Sequence, residues 1–259
     1  MSETIKLEII GSVGKITLNR PNVFNSFNQE MSKACHEALD QCKNDQRVRA
    51  IYITGEGKAF CAGQDLAEAV DPNGPDIKRI VDEHYNPLII RLRTIEKPIV
   101  AAVNGVAAGA GANVALAADI VVAKKSASFI QAFSSIGLIP DCGGTYVLPR
   151  LIGRQKAAAY MMLADKISGE EAERVGMIYK WFEDDVFEAE SWKIAETLAA
   201  RPTIGIGLTK RLLNMSLNTT LEDHLAAQGE IQTMAANTED FREGVRAFME
   251  KRAPIFKGA

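Results

Sequence analysis

The sequence feature that most limits how this chain folds is a long apolar run, residues 99–123, with very little side-chain volume. Its β-branched start, 99–103, predicts a buried strand, and Asn104 with Gly105 predicts a turn. The glycine cluster, residues 107–112, comes next and leads into an alanine-rich helical segment. Side chains this small let other backbone approach closely, and a helix starting here would direct its free N–H groups at one point. The glycine cluster therefore predicts tight helix packing, a seat for a ligand, or both.

The composition limits the class of protein. The chain has 259 residues, 47% of them hydrophobic and 24% charged, which is sufficient for one large domain with a substantial core. The net charge of −3 argues against a nucleic-acid-binding protein, which is usually basic. The cysteines lack C-x-x-C spacing and a zinc pattern with histidine, so we expect a reducing cytosol, no metal and no redox cofactor. We see no signal peptide or membrane span and predict a cytoplasmic protein.

Strand and helix patterns alternate through the first part of the chain. Two apolar segments within residues 5–18, separated by a glycine-containing turn at 11–14, predict a hairpin. Asn28 suits the N-cap of an amphipathic helix over 29–44, and residues 48–54 predict a buried strand. A strand, helix, strand succession favours a parallel sheet.

The rest of the chain divides into two regions. Residues 77–95 predict a helix that Pro87 should break or bend. The last predicted strand ends near residue 182, and only helical patterns follow. We therefore predict an α/β core over residues 1–185 and a helical region over 186–259. Helices that close no core of their own often pack on a neighbouring subunit.

Several short motifs follow one another along nearly the whole chain, and each is weak alone. They are Leu18-Asn19-Arg20-Pro21, Ala59-Phe60-Cys61-Ala62-Gly63-Gln64-Asp65-Leu66, Ala102-Val103-Asn104-Gly105 with the glycine cluster, Ala118-Asp119-Ile120, Gly137-Leu138-Ile139-Pro140, Gly143-Gly144-Thr145 and Arg242-Glu243-Gly244. Together they resemble the crotonase, or enoyl-CoA hydratase/isomerase, superfamily. The resemblance implies a crotonase (ClpP-like) spiral of ββα units, with a C-terminal helical region used for trimer assembly. It also implies an acyl thioester of coenzyme A as substrate, no separate cofactor, and a homotrimer or dimer of trimers.

Further motifs indicate a branch of the family. They are Asn25-Ser26-Phe27, Asp71-Pro72-Asn73-Gly74-Pro75, Tyr85-Asn86-Pro87-Leu88 and Ile139-Pro140-Asp141-Cys142-Gly143-Gly144-Thr145. They resemble isomerases of phenylacetate catabolism that convert a ring-1,2-epoxide of phenylacetyl-CoA to an oxepin. The chain is also similar to enzymes that shift a double bond between the Δ3 and Δ2 positions of enoyl-CoA.

The chemistry shared by the family stabilises a thioester enolate through two backbone N–H groups that point at the thioester oxygen. By resemblance, these donors are the amides of Gln64 and Ala110. The flanking glycines permit the close backbone approach that such a pair needs. The alternative is that the glycine cluster only packs a helix on a sheet. The residues expected to contact the substrate are Ala62, Gly63, Asp65, Leu66, Gly109, Asn113, Phe133, Ile139 and Pro140, although Asp65 suits a structural role better.

The next question is which residue acts as the general base. Family hydratases use two glutamates, and by resemblance the corresponding positions here are Asn113 and Phe133. Neither side chain transfers a proton near neutral pH, which disfavours two-carboxylate addition of water. Asp141 is the replacement candidate, because one partly buried carboxylate can remove a proton beside a carbonyl and return it elsewhere. Its alternative role is the N-cap of a helix over residues 142–147.

Three other functions stay open at this stage. One is an enoyl-CoA hydratase working by a one-carboxylate route. Another is a different crotonase reaction, such as dehalogenation or thioester hydrolysis, in which the aspartate attacks covalently. The third is a non-catalytic CoA- or RNA-binding protein on the same fold, which the negative net charge disfavours.

Overall fold

The computed structural model describes residues 3–259 and contains two β-sheets. The strands are β1 (Ile5–Ile10), β2 (Val13–Leu18), β3 (Ala50–Gly55), β4 (Ala59–Cys61), β5 (Ile99–Val103), β6 (Val106–Ala108), β7 (Ile120–Lys124), β8 (Ser128–Ile130), β9 (Lys166–Ser168) and β10 (Lys180–Phe182). The six-stranded sheet has the order β1-β2-β3-β5-β7-β10 and is parallel except for the β1–β2 hairpin. The four-stranded sheet has the order β4-β6-β8-β9, with an antiparallel β8–β9 pair.

Helices separate and cover these sheets. They are α1 (Gln29–Asn44), α2 (Leu66–Ala69), α3 (Ile77–Arg79), α4 (Asn86–Thr94), α5 (Ala110–Leu116), α6 (Gly144–Ile152), α7 (Arg154–Leu163), α8 (Gly169–Arg174), α9 (Phe187–Ala199), α10 (Thr203–Met215), α11 (Leu221–Ala236) and α12 (Glu239–Met249). A π-helical turn, Ile80–Tyr85, joins α3 to α4, and short 3₁₀ turns occupy Pro21–Val23 and Ala132–Ile136. None of the helices within residues 3–259 is long and apolar enough to cross a bilayer.

The first helix forms as its sequence predicts. The side chain of Asn28 accepts a 2.9 Å hydrogen bond from the amide of Met31, which satisfies one of the free N–H groups at the start of α1. The apolar side chains of α1 are buried in the main core, which fixes the helix against the six-stranded sheet. These buried side chains are Met31, Ala34, Cys35, Ala38, Leu39 and Cys42.

The glycine cluster is not one structural segment. Val106–Ala108 forms β6, a strand that the sequence did not predict, and α5 begins at Ala110. Phe133 lies on the 3₁₀ turn Ala132–Ile136, just after β8. The hairpin turn is also shorter than predicted, since Ile10 pairs directly with Val13. Short strands of this kind are set by their neighbours in the sheet and have little periodicity of their own.

A π-helical turn replaces the break expected at Pro87. The amide of Asn86 donates to the carbonyl of Val81, five residues earlier, which widens the helix just before the proline. Pro87 then lies in the first turn of α4. An N–H group in the first turn has no acceptor within its own helix, so the N–H that proline lacks costs no helical hydrogen bond. The helical path therefore continues from residue 77 to residue 94.

Part of the helical region at 186–259 belongs to the core. Phe187 and Ala195 of α9 pack against Tyr52, Val100 and other residues on the face of the six-stranded sheet that is opposite α1. The sheet is thus covered on both faces, as mostly parallel sheets usually are. The later helices α11 and α12 leave large apolar side chains exposed, including Phe248 at 82%. Trimer assembly through these helices stays a prediction.

An ion pair ties α10 to the start of β5. Lys210 is only 6% exposed, and its Nζ lies 2.8 Å from Asp119 Oδ2. The same carboxylate oxygen accepts a 2.8 Å hydrogen bond from the amide of Ile99, and Lys210 also donates to the carbonyl of Leu92 at 2.7 Å. Burial raises the pKa of Asp119 and lowers that of Lys210, while their mutual attraction opposes both shifts.

Removing one partner of this pair should be costly. The variant Lys210→Met leaves Asp119 partly buried without its cation, so we expect the free energy of unfolding to fall by roughly 3–5 kcal/mol. Chemical denaturation measures this loss. The matched control is Lys125→Met, which breaks an exposed pair with Glu183 and should cost less than about 1 kcal/mol. Equal losses in the two variants would contradict a role for burial.

Candidate active site

Close backbone contact brings β4 and the start of α5 together. A Cβ atom on Gly111 would lie 2.2 Å from the carbonyl oxygen of Cys61, so only glycine fits there. The chain then turns through Gly63, where a Cβ atom would lie 3.3 Å from the amide nitrogen of Ala110. The structure therefore brings the Gly63–Gln64 peptide beside the first amide of α5.

The amide of Gln64 is oriented by a short parallel bridge to Phe27. Phe27 donates its N–H to the carbonyl of Gly63 at 2.7 Å, and Asp65 donates its N–H to the carbonyl of Phe27 at 2.8 Å. In this pattern the N–H of the intervening residue points away from the bridged strand. The Gln64 amide is thus directed away from Phe27.

The second expected donor begins a helix. Ala110 is the first residue of α5, and Gly109 precedes it with φ 52° and ψ −126°. An N–H at this position has no acceptor within its own helix. The ring of Phe133 packs above the turn, since a Cβ atom on Gly109 would lie 3.8 Å from Phe133 Cζ. The geometry fits an oxyanion hole, whose catalytic role stays a prediction.

Asp141 does not cap a helix. The helix that follows, α6, begins at Gly144 with Gly143 as its N-cap and without a side-chain capping bond. The main-chain carbonyl of Asp141, rather than its carboxylate, accepts the 2.8 Å bond from the Gly144 amide. The N-cap alternative is therefore wrong, because two left-handed residues, Cys142 and Gly143, separate the aspartate from the helix.

The carboxylate of Asp141 is available for chemistry. Its Oδ1 atom is buried and has no hydrogen-bond partner among the residues that the structure describes. Burial raises its pKa above that of an ordinary aspartate, and a hydrogen bond from the Cys142 thiol opposes part of this shift. A carboxylate with one buried, unpartnered oxygen and a raised pKa is typical of a general base.

The neighbouring thiols do not compete for this role. Burial is the main cause of the higher pKa of Cys142, which is further raised by the charge of Asp141. Burial also raises the pKa of the Cys61 thiol to about 12. Both cysteines are therefore protonated near neutral pH and are not nucleophiles.

Asn113 braces the Asp141 loop. Its side chain is 1% exposed, donates a 2.9 Å hydrogen bond to the carbonyl of Asp141, and accepts one of 2.8 Å from Gln131 Nε2. A Cβ atom on Gly144 would lie 2.3 Å from Asn113 Nδ2, so the loop packs directly on this amide. The side chain holds the loop in place and does not face open space.

Of the other residues expected to contact substrate, one supports the loop and others have side chains exposed to solvent. The carboxylate of Asp65 caps α2 through the amide of Ala67 and pairs with Arg20 at 2.9 Å, so its side chain supports the loop. Two apolar side chains are exposed and free to contact a ligand, Leu66 and Ile139. Ala62 and Pro140 are half-buried beside them in the chain.

The sequence analysis did not identify the polar side chains behind Gln64. The phenol of Tyr85 donates to Gln64 Oε1 at 2.9 Å, and Gln64 Nε2 donates to Glu68 at 2.9 Å. A tyrosine among apolar helix residues resembles an ordinary core residue, so only the three-dimensional contact reveals it. Within residues 3–259 we find no cluster of three or more side chains suited to a metal ion.

The close contact at Gly63 gives a stability prediction. In Gly63→Ala, the methyl group would lie 2.9 Å from the carbonyl oxygen of Ala108, at a residue with φ +97°. The control Gly11→Ala also changes a glycine with positive φ, +59°, but meets nothing within 4 Å. We expect Gly11→Ala to lower the free energy of unfolding by about 1–2 kcal/mol, and Gly63→Ala to lower it clearly more. Equal losses in denaturant unfolding would show that the contact is not tight.

Comparison with known proteins agrees with this geometry. The family model for enoyl-CoA hydratase/isomerase matches residues 8–259. The chain is 45% identical to 1,2-epoxyphenylacetyl-CoA isomerase of Escherichia coli over 100% of both chains. It is 42% identical, over 98% of both chains, to a Rhodobacter capsulatus protein named probable enoyl-CoA hydratase. The crystal structure of an enoyl-CoA hydratase from Bacillus anthracis, 30% identical, matches with a TM-score of 0.91 over 99% of this chain and 100% of that one. The expected crotonase fold is thus confirmed, and this chain belongs to the enoyl-CoA hydratase/isomerase family of enzymes.

Proposed function

We propose that this enzyme is an acyl-CoA isomerase. Asp141 removes a proton beside the thioester carbonyl, and the amides of Gln64 and Ala110 stabilise the enolate oxygen. The same carboxyl group then returns the proton at another carbon, so the reaction consumes no water and needs no redox partner. The substrates that we propose are enoyl-CoA with a movable Δ3–Δ2 double bond, for which this proton shift is the whole reaction, and 1,2-epoxyphenylacetyl-CoA. In the epoxide, the ring carbon–carbon bond that the epoxide shares must also open, which expands the ring to oxepin-CoA.

One observation carries this proposal: the only carboxylate among the three candidate acid/base positions belongs to Asp141. The two positions of the family hydratases hold Asn113, whose amide donates to the Asp141 carbonyl and accepts from Gln131, and Phe133, which cannot ionise. Two-carboxylate hydration uses one group to activate water and another to protonate carbon, whereas isomerisation can use a single carboxylate twice. The similarity to the E. coli isomerase supports the same conclusion.

Enolate formation suits the surroundings of the two amides. Negative charge develops on the thioester oxygen only as the proton leaves, so donors fixed in advance stabilise the transition state more than the bound substrate. The exposed side chains of Leu66 and Ile139 offer apolar contacts to the acyl-CoA outside this point. These contacts do not distinguish an aromatic from an aliphatic acyl group.

Replacing the proposed base should separate activity from stability. We expect Asp141→Asn to lower kcat at least about 10²-fold, because the asparagine amide cannot act as a general base. Since burial raises the pKa of Asp141, the native state holds its proton more tightly than the unfolded chain does. Ionisation therefore lowers stability as the pH rises past the ordinary aspartate pKa, and the uncharged variant should have an equal or higher Tm at pH 7. Full turnover by Asp141→Asn would reject the proposed base.

The pH dependence of the wild type tests the same residue. The base acts in its ionised form, so kcat/KM should fall on the acidic side as Asp141 becomes protonated. Because its pKa is raised, this fall should begin at higher pH than the titration of an exposed aspartate, at about 3.9, would give. A profile that is flat down to pH 4 would contradict the assignment. The unfolding transition measured at each pH shows whether acid denaturation contributes.

A panel of acyl-CoA substrates decides between the proposal and its alternatives. Isomerisation of an epoxidised phenylacetyl-CoA or of a 3-enoyl-CoA supports the proposal, whereas efficient hydration of crotonyl-CoA favours the hydratase that the R. capsulatus relative's name suggests. A trapped acyl or aryl ester on Asp141 would indicate covalent catalysis. CoA binding without turnover of any member would favour a non-catalytic protein. The homotrimer or dimer of trimers and the cytoplasmic location stay predictions.

A further inference from the structure

A chain of partly buried polar contacts fixes the side chain of Gln64. The phenol of Tyr85 donates to Gln64 Oε1 at 2.9 Å, and Gln64 Nε2 donates to Glu68 Oε2 at 2.9 Å. The other oxygen of Glu68 accepts a 2.9 Å hydrogen bond from the backbone amide of Gln29 at the start of α1. Both ends of the Gln64 side-chain amide are therefore bonded, and the chain of contacts ends on a rigid helix.

The Gln64 peptide needs such support. It follows Gly63, whose φ of +97° is open to glycine and rare for other residues. Glycine has the greatest backbone freedom of any residue, so Gly63 restrains the direction of the peptide less than another residue would. The backbone bridge to Phe27 holds one side of the peptide. The ring of Phe27 in turn packs edge-on against Tyr85, with ring centroids 6.0 Å apart. Tyr85 thus touches both residues that determine the direction of the Gln64 N–H.

The backbone around Tyr85 is itself unusual. Tyr85 is the last residue of the π-helical turn, and its side chain is fully buried. π-helical turns are rare interruptions of an α-helix and are frequently found at functional sites. Burial raises the pKa of the phenol well above its ordinary value, and the nearby charges of Asp141 and Glu68 add to this. The hydroxyl group therefore stays a donor throughout the working pH range.

We infer that Tyr85 is a positioning residue for catalysis: its hydroxyl group, acting through the side chain of Gln64, holds the Gln64 amide in line with the thioester oxygen. This inference rests on the proposed function, because the direction of that amide matters only if it meets an oxyanion. Tyr85 touches no reacting atom in this role. Its effect should appear in kcat and little in KM, since charge on the oxygen develops in the transition state.

The variant Tyr85→Phe tests this role, because it removes the hydroxyl group and keeps the ring against Phe27. Loss of a whole oxyanion donor costs about 10²–10³-fold in kcat, so a misaligned donor should cost about 10–30-fold, with KM within about twofold. The matched control is Tyr52→Phe. Tyr52 is equally buried and loses a 2.9 Å bond to Ser191 Oγ on the opposite side of the six-stranded sheet. Its kcat should be unchanged, and the Tm of both variants should fall by similar amounts. Equal kcat values for Tyr85→Phe and the wild type would overturn the inference.

A double variant tests whether Tyr85 acts through Gln64. Gln64→Met removes the bonded side-chain amide at nearly the same volume and leaves the backbone N–H in place. If the two residues act in one path, the double variant Tyr85→Phe/Gln64→Met should be no slower than the slower single variant. If the fold losses in kcat of the two single variants multiply in the double variant, Tyr85 acts by another route and the inference is overturned.

The assay must also separate this inference from the proposed reaction. Exchange of the α-protons of phenylacetyl-CoA with D₂O, followed by mass spectrometry, reports enolate formation without requiring a product. Exchange by the wild type without isomerisation of any substrate would reject the proposed reaction and leave the Tyr85 comparison valid. Slower exchange in Tyr85→Phe, but not in Tyr52→Phe, supports the inference. Equal exchange by Tyr85→Phe and the wild type overturns the inference about Tyr85 and leaves the proposed function standing. No exchange and no isomerisation by the wild type would overturn both.

Discussion

Backbone contact between β4 and the start of α5 is the constraint on which the candidate site depends. Gly111 lies against the carbonyl of Cys61, and Gly105 lies just as close to the carbonyl of Lys58, so any side chain at either glycine would separate the segments. These contacts place the Gly63–Gln64 peptide beside the first amide of α5. Two backbone segments from distant parts of the chain thereby come close in space at the start of α5.

Buried polar side chains maintain what the glycines bring together. Asn113 ties the loop of Asp141 to α5, while Tyr85 and Glu68 hold the side chain of Gln64. Each of these groups is bonded to protein, whereas one oxygen of the Asp141 carboxylate, Oδ1, is buried without a partner among the described residues. In the proposed function, these fixed supports leave one carboxylate oxygen free to move a single proton.

Particular residues show how far the sequence predicts this structure. The cap at Asn28, the buried face of α1 and the strand β5 follow from periodicity and local hydrogen bonding, and the structure agrees with them. The strand β6 and the π-helical turn were not predicted. A three-residue strand has too little pattern to recognise, and a π turn is chosen by packing around the proline rather than by propensity. The resemblance of motifs directed attention to Gln64, Ala110 and Asp141 before any geometry was known.

The sequence by itself determined the chemistry that is possible here. It places glycines where backbone must approach, and it puts asparagine and phenylalanine at the two positions that by resemblance correspond to the glutamates of the family's hydratases. Only the tertiary structure decided what each group does. It showed that Asp141 Oδ1 is buried without a partner instead of capping a helix, that Asn113 braces a loop, and that Tyr85 bonds Gln64. The reason is physical, since burial and hydrogen-bond partners depend on residues far apart in the chain, and these determine whether a carboxylate supports the fold or is free to act as a base.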